Sequence, residues 1–277
     1  MDCEQFFAHL WQKYLQLTPQ AAKIRQLFVD QGNSIVNDHV AFRTFDVAPI
    51  SIDELEHHLL GLGYKHYENY QFAQKHLLAR AYLPKNPRHA RIFLSELITA
   101  ELSSRAQEVI YAACQTIDEY ATRGESIFWG GRLWSMPSWQ EYNILLNESE
   151  YAAWLIVHGL CANHFTLSVN ALNEPNLEYV NARLQQAGFR LNGEGGAIKG
   201  TPEVLLEQSA TLADRVDMIF RDGDIHSVPS CFYEFAKRYH DGNGRLFQGF
   251  VPDNANKIFH STDLHPRSSV IEDSPGD

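Results

Sequence analysis

Two stretches of this chain carry the same alternation of apolar and polar positions. The first is Asn37-Asp38-His39-Val40-Ala41-Phe42-Arg43-Thr44-Phe45, and the second is Ala162-Asn163-His164-Phe165-Thr166-Leu167-Ser168-Val169-Asn170. Both are rich in β-branched and aromatic residues and free of Gly and Pro, which predicts strands. Each is followed by an amphipathic run with helical periodicity, Ser51 through Leu59 in one case and Leu177 through Leu184 in the other. Ser51 and Glu54 stand at capping-box spacing, and Gly63 and Gly188 stand where a helix end favours a left-handed residue. The same count separates His39 from Tyr64 and His164 from Phe189. A fixed offset that matches histidine, helix and Gly-aromatic step together is the signature of an internal repeat. Further strand patterns follow, over Tyr67–Phe72, Leu77–Leu83 and Ala90–Leu97 in the first copy, and over Ala210–Phe220 and Ser230–Ala236 in the second. The predicted class is therefore α+β. Two tandem βαβββ modules, residues 37–98 and 162–238, would form a cupped mixed sheet around a metal site, in one compact domain overall.

The remaining segments decorate that frame. Phe6, Phe7, Leu10, Trp11 and Tyr14 fall at helical spacing, as do Ile24, Leu27 and Phe28 beyond a break at Pro19. Such stripes are core-packing faces, so residues 1–36 read as a helical cap over one end of the sheet. Residues 99–161 read as a helical insertion or linker, with helices over Glu101–Tyr120 and Glu148–His158. Between them, Trp129-Gly130-Gly131-Arg132 reads as packing between the halves, with ligand contact as the alternative. Gly193 to Lys199 is glycine-rich but lacks the spacing of a phosphate-binding loop. Residues 239–277 form a C-terminal segment. Gly249–Pro252 and Asn254–Phe259 are expected to be ordered and to close the site, and the acidic tail after Asp263 to be flexible.

Composition narrows the function classes. The chain has 277 residues and a formal net charge of -11, which disfavours nucleic acid as a partner because phosphate binding needs basic patches. A small anion in a locally positive pocket remains compatible. No run of about 18 apolar residues occurs, so no transmembrane helix and no membrane partner are expected. The start, Met1-Asp2-Cys3-Glu4-Gln5, lacks the basic opening of a signal peptide. Cys3, Cys114, Cys161 and Cys231 form no C-x-x-C pair, so a structural zinc site is not expected. A reduced, cytoplasmic protein is the expectation, with Cys161 and Cys231 as small core residues.

Candidate chemistry sits on the repeated strands. Alternation places His39, Ala41 and Arg43 on one face. His39 could ligate a metal, and Arg43, roughly 13 Å along the strand, could hold a substrate anion near it, so that the two flank a ligand. A lone histidine is more often a surface or structural residue, but His164 repeats His39 at the matching position. Glu96 and Glu234 each place a carboxylate in an otherwise apolar final strand, where a charge normally has a partner. Two neutral imidazoles and one carboxylate on one side of a metal make the facial triad of non-haem Fe(II) oxygenases. The candidate ligands are His39, His164 and Glu234, with Glu96 as a fourth ligand by symmetry or an outer acceptor. The competing reading is a pair of structural histidines with Glu234 paired to a buried arginine.

At these residues the sequence resembles a known family. The paired modules look like the vicinal oxygen chelate superfamily. Asn37 through Arg43, Asn163-His164 and Phe232-Tyr233-Glu234-Phe235-Ala236 resemble, more closely, the 2-oxoadipate dioxygenase/decarboxylase family, also called hydroxyglutarate synthase. The resemblance runs from about Asn37 to Phe259, and the His-x-x-x-Arg spacing in an Asn-Asp-His context is its most specific part. It implies a mononuclear Fe(II) enzyme of lysine catabolism that takes 2-oxoadipate and dioxygen to 2-hydroxyglutarate and carbon dioxide. His39, His164 and Glu234 match that family's metal ligands, and Arg43 matches its substrate arginine. A guanidinium binds a carboxylate in a bidentate way that lysine cannot copy. The chain is much shorter than the best-known members, and a C-terminal segment that contributes substrate contacts there is expected to be lacking, which leaves the exact substrate open. Two alternatives stand beside this reading. One is a vicinal-oxygen-chelate lyase, isomerase or hydrolase, in which another divalent metal polarises a carbonyl or activates water and Glu234 or Glu96 acts as base. The other is a non-catalytic small-molecule binding protein.

Overall fold

The repeat read from the sequence is present in three dimensions. A computed structural model describes residues 1–262, and the tail after Asp263 lies outside them. The first module is β1 (Asn37–Phe45), α3 (Ile52–Gly61), β2 (Lys65–Phe72), β3 (Leu77–Leu83) and β4 (Arg91–Leu97), following the cap helices α1 (Cys3–Leu17) and α2 (Pro19–Val29). After the insertion helices α4 (Ser104–Cys114), α5 (Trp139–Leu146) and α6 (Glu150–His158), the second module begins. It contains β5 (Ala162–Ser168), α7 (Leu177–Gln186), β6 (Lys199–Thr201), β7 (Leu206–Ala210), the hairpin β8 (Arg215–Ile219) and β9 (Ile225–Pro229), and β10 (Phe232–Arg238). A last helix, α8, spans Pro252–Ile258.

Eight strands make one curled sheet in the order β2-β3-β4-β1-β5-β10-β7-β6. β1 pairs in parallel with β4, β5 pairs in parallel with β10, and the modules meet where β1 and β5 run antiparallel. That pairing sets His39 opposite Thr166 and Ala41 opposite His164, so a two-fold axis passes between the histidines. Register shifts flank both pairs, the local re-aiming that bulges provide near functional sites. Gly63 and Gly188 take positive φ at the two corresponding helix ends, as their positions predict.

The helix-covered face of the sheet is aromatic. Trp11 meets Phe165 edge-on at 5.1 Å, and Phe42 meets Phe128 at 4.9 Å. Trp129 stacks on His9 at 5.1 Å, while the Arg132 guanidinium donates to the carbonyls of Trp134 and Val157. The Trp-Gly-Gly-Arg stretch thus packs the insertion against α1 and α6. Gly159 is required there, because a Cβ at its φ of 70° would lie 2.2 Å from the Gly131 carbonyl.

Three elements differ from the expectation. The helix expected over Glu101–Tyr120 is confined to Ser104–Cys114, because Ser103 caps its start and a short 3-10 turn occupies Thr99–Glu101. A further helix, α5, begins at a Ser138–Glu141 capping box. The strand pattern over Ala210–Phe220 is divided: β7 ends at Ala210, and the chain leaves the main sheet to form the separate β8–β9 hairpin. Among the described residues no helix is long and apolar enough to cross a membrane.

Candidate metal centre

Strand alternation and the two-fold pairing bring His39, His164 and Glu234 together, each nearly excluded from solvent. One possible ligand atom from each lies within 4.8 Å of the others. His39 Nε2 is 3.4 Å from one Glu234 oxygen and His164 Nε2 is 3.2 Å from the other. His39 reaches this point from β1, His164 from β5 and Glu234 from β10, so the site straddles the junction of the two modules.

Hydrogen bonds behind the rings fix their polarity. His39 Nδ1 is 2.8 Å from Asp38 Oδ1. Burial works to raise the Asp38 carboxyl, but the Arg238 guanidinium and the hydrogen bonds from His39 and Arg238 outweigh it and hold the group far below the usual carboxylate range. Asp38 is therefore an ionised acceptor, and Nδ1 of His39 carries the proton. His164 Nδ1 faces Asn163 Oδ1 at 3.1 Å. Burial, reinforced by His39 and Arg43, holds the His164 imidazole neutral, well below its ordinary value. Both Nε2 atoms thus face the Glu234 carboxylate.

Burial lifts the Glu234 carboxyl above its ordinary range, against the pull of His39 and a hydrogen bond from Gln208. Gln208 Nε2 donates to Oε1 at 2.7 Å, whereas Oε2 has no hydrogen-bond partner among the described residues. Acceptors facing one another at these distances in a buried site repel unless a proton or a metal cation lies among them. The donor set, two imidazoles and a carboxylate, is one that divalent transition metals take. The residues therefore fit a metal.

Around this centre the walls are aromatic. Phe250 sits edge-on to His39 at 4.8 Å and against Phe93 at 4.7 Å, and Phe232 stacks on His164 at 4.6 Å. The segment expected to close the site does lie over it, since Phe250 precedes α8 and its N–H donates to Tyr70 Oη at 3.0 Å. Arg43 lies on the same strand face as His39, 2 % exposed, with its guanidinium 4.9 Å from the Tyr151 ring and 5.0 Å from the Trp154 ring. One guanidinium nitrogen donates to Thr262 Oγ1 at 3.3 Å. A cavity of about 280 Å³ reaches Arg43, lined also by Leu77, Ser149, Tyr151, Phe259 and Thr262, and its lining stops short of the histidines and Glu234.

Glu96 is not part of this cluster. It pairs in register with Thr44, on the helix-covered face, and its carboxylate accepts from Ile52 N–H at 2.8 Å, at the start of α3. The motif likeness between Glu96 and Glu234 does not survive the strand registers. His39 stands opposite Arg91 and His164 opposite Phe232, so the residue that corresponds to Glu234 is Phe93.

A sequence profile of the 2-oxoadipate dioxygenase/decarboxylase family matches residues 6–126 and 127–246, one span for each half of the chain. The chain belongs to that family. An Arabidopsis thaliana 2-oxoadipate dioxygenase/decarboxylase is 34% identical over 278 residues, which cover 90% of this chain and 74% of the relative. The crystal structure of a rice (Oryza sativa) hydroxyglutarate synthase in complex with 2-oxoadipate superposes with a TM-score of 0.88 at 32% identity, over 94% of this chain and 91% of the other. A Shewanella frigidimarina NCIMB 400 protein described as a candidate hydrolase superposes with a TM-score of 0.86 at 45% identity, over 90% of this chain and 97% of the other.

Several neighbours of the cluster carry no local sequence signal. Gln208 and Thr166, whose Oγ1 lies 3.0 Å from His39 Nε2, look like ordinary strand residues. Arg238 reaches Asp38 across 200 positions of sequence. Only the Asn-Asp-His and Asn-His contexts, with an acceptor directly before each histidine, pointed toward this layer.

Proposed function

We propose that this chain is an Fe(II)-dependent dioxygenase and decarboxylase that converts a 2-oxo acid of the 2-oxoadipate type and dioxygen to the 2-hydroxy acid one carbon shorter and carbon dioxide. For 2-oxoadipate the atoms balance, with 2-hydroxyglutarate and carbon dioxide taking up both oxygen atoms. The observation that carries the reading is the convergence of two imidazole lone pairs and the Glu234 carboxylate on one buried point, with Arg43 further along the strand face that presents His39. His39, His164 and Glu234 would hold the iron, which when bound supplies the redox chemistry toward dioxygen. Arg43 binds a substrate carboxylate, and its neighbouring rings lower the local dielectric, which strengthens that charge-assisted contact. Ala41, the one side chain between His39 and Arg43 on that face, is small, so the substrate is proposed to lie over it between them. Phe93, Phe232 and Phe250 exclude water from the ligand side of the histidines. The site is proposed to work in the reduced, cytoplasmic setting that the free cysteines suit.

A second reading, hydrolysis by a metal-activated water, is favoured only by the description of the Shewanella protein. Anaerobic Fe(II) loading followed by oxygen-electrode assays separates the two. Oxygen uptake that depends on added 2-oxoadipate, with release of carbon dioxide, is expected. Iron-loaded protein that consumes no oxygen with any 2-oxo acid of four to seven carbons would count against the oxygenase assignment.

A further inference from the structure

The two-fold axis makes His39 and His164 equivalent in backbone position, yet what stands behind them differs. Behind His39 is Asp38, a buried carboxylate gripped on both oxygens by Arg238, with Nε to Oδ2 at 2.8 Å and Nη2 to Oδ1 at 2.9 Å. Arg91 adds a longer contact of 3.4 Å from the neighbouring strand. Arg238 is itself only 2 % exposed. Its remaining nitrogen, Nη1, donates to the carbonyls of Gly249 at 2.6 Å and Phe247 at 3.3 Å. The next residue, Phe250, lies against the His39 ring. One guanidinium therefore ties together the acceptor behind His39, the last strand of the second module and the segment that covers the site. Behind His164 stands only the amide of Asn163, whose Nδ2 has no hydrogen-bond partner among the described residues.

We propose that the Asp38–Arg238 pair is a positioning device that fixes the His39 ring and strengthens it as a metal donor, a role that neutral Asn163 does not match at His164. This rests on the metal reading above. A carboxylate accepting from Nδ1–H locks the tautomer, restrains ring rotation and pushes electron density toward Nε2. A bidentate guanidinium keeps that carboxylate in place and ionised inside the protein, where an unpaired charge would not persist. A neutral amide carbonyl fixes the tautomer but polarises the ring less. The two histidines are thus unequal ligands, and the stronger one is mechanically joined to the covering segment through Arg238.

Anaerobic titration of the metal-free full-length chain with Co(II), followed by visible absorption, tests this. Asp38→Asn is expected to weaken Co(II) binding by about 10- to 100-fold and to shift the Co(II) bands. Asn163→Ala is expected to cost clearly less. The double variant Asp38→Asn, Arg238→Met removes both charges together and leaves neither of the two buried without its partner, which guards against loss of the fold in the single variant. It should show the same loss of affinity and the same spectral shift. A pair that only held the fold together would lower the melting temperature of metal-free protein and leave affinity and spectrum unchanged. A folded double variant with wild-type affinity and spectrum overturns the proposal, as does an Asn163→Ala variant that loses as much as either. Wild-type protein that binds no Co(II) is a different result, and it overturns the metal reading itself.

Discussion

The two modules start from the same strand, helix and meander, and they contribute unequally to the site they share. Both supply a histidine from the first strand. Only the second supplies a carboxylate, because Glu234 in β10 corresponds to Phe93 in β4. The amide that steadies the carboxylate is equally one-sided. Gln208 stands opposite Ala236, and the corresponding position in the first module is Ala79, opposite Ser95. In place of a second carboxylate the first module presents an aromatic ring, which packs under Phe250. A symmetric cup would surround a metal with four protein ligands. Breaking the symmetry at this strand leaves three, and so leaves coordination positions for substrate and dioxygen in the proposed function.

The most severe break of that comparison is removal of a proposed ligand contributed by the second module. His164→Ala and Glu234→Ala should each abolish stoichiometric iron binding, read as metal per chain after anaerobic loading and desalting. Wild type should retain close to one iron per chain. A His164→Ala variant that retains as much iron as wild type would remove the ligand assignment. Arg43→Lys should come next. It keeps the charge but loses the two-pronged contact, which contributes about 1.5–3 kcal/mol, so kcat/KM for the preferred 2-oxo acid should fall by roughly 10- to 200-fold. Iron content and melting temperature should be unchanged, and wild-type kinetics in this variant would sink the carboxylate-binding role. Gln208→Leu, which makes the second module resemble the first at this position, should weaken metal binding by about 10- to 100-fold through loss of the Glu234 hydrogen bond. Competition against a chromophoric chelator measures it, and an unchanged affinity would show that Glu234 holds its position without the amide.

The repeat was legible because it is written in local patterns that recur at a constant offset: a histidine-bearing strand, a capped amphipathic helix and a glycine at its end. Those features place His39, His164 and Arg43 on predictable faces. What escaped is decided by strand register, which local patterns do not encode. Glu96 and Glu234 sit in similar apolar contexts, yet a shift along the paired strand sends Glu96 to the helix side, where it receives the Ile52 N–H. Asp38 was read as part of a strand motif, and its partner Arg238 could not be assigned because it lies 200 positions away in the sequence. Helix α5 carried its own signal in the Ser138–Glu141 pair, masked by the surrounding aromatic and glycine residues. The β8–β9 hairpin has no counterpart in the first module, so the repeat gave no template for it.

That hairpin leads to the comparison's smallest test. Where the first module joins β3 to β4 by a turn, the second sends the chain out through β8 and β9, and α6 anchors its return. Trp154 Nε1 donates to the Ser230 carbonyl at 2.6 Å, and His158 Nε2 lies 2.8 Å from the Pro229 carbonyl. Burial holds the His158 imidazole down to about 4 from an ordinary 6.5, with Arg43 and Arg132 acting in the same direction against the Pro229 hydrogen bond. The folded protein therefore binds this proton more weakly than the unfolded chain does. Its contribution to stability is complete above about pH 6.5, declines as the pH falls, and is gone below about pH 4. The shift corresponds to on the order of 3 kcal/mol between those limits. His158→Gln can keep a donor toward Pro229 without a titrating ring. It should lose about 1 kcal/mol at neutral pH through poorer hydrogen-bond geometry. Urea melts between pH 6.5 and 4 should then show a shallower acid-side decline than in wild type. Parallel declines for the two proteins would mean that His158 does not enter the folded state neutral, and that the anchoring of the second module's extra hairpin is insensitive to its charge.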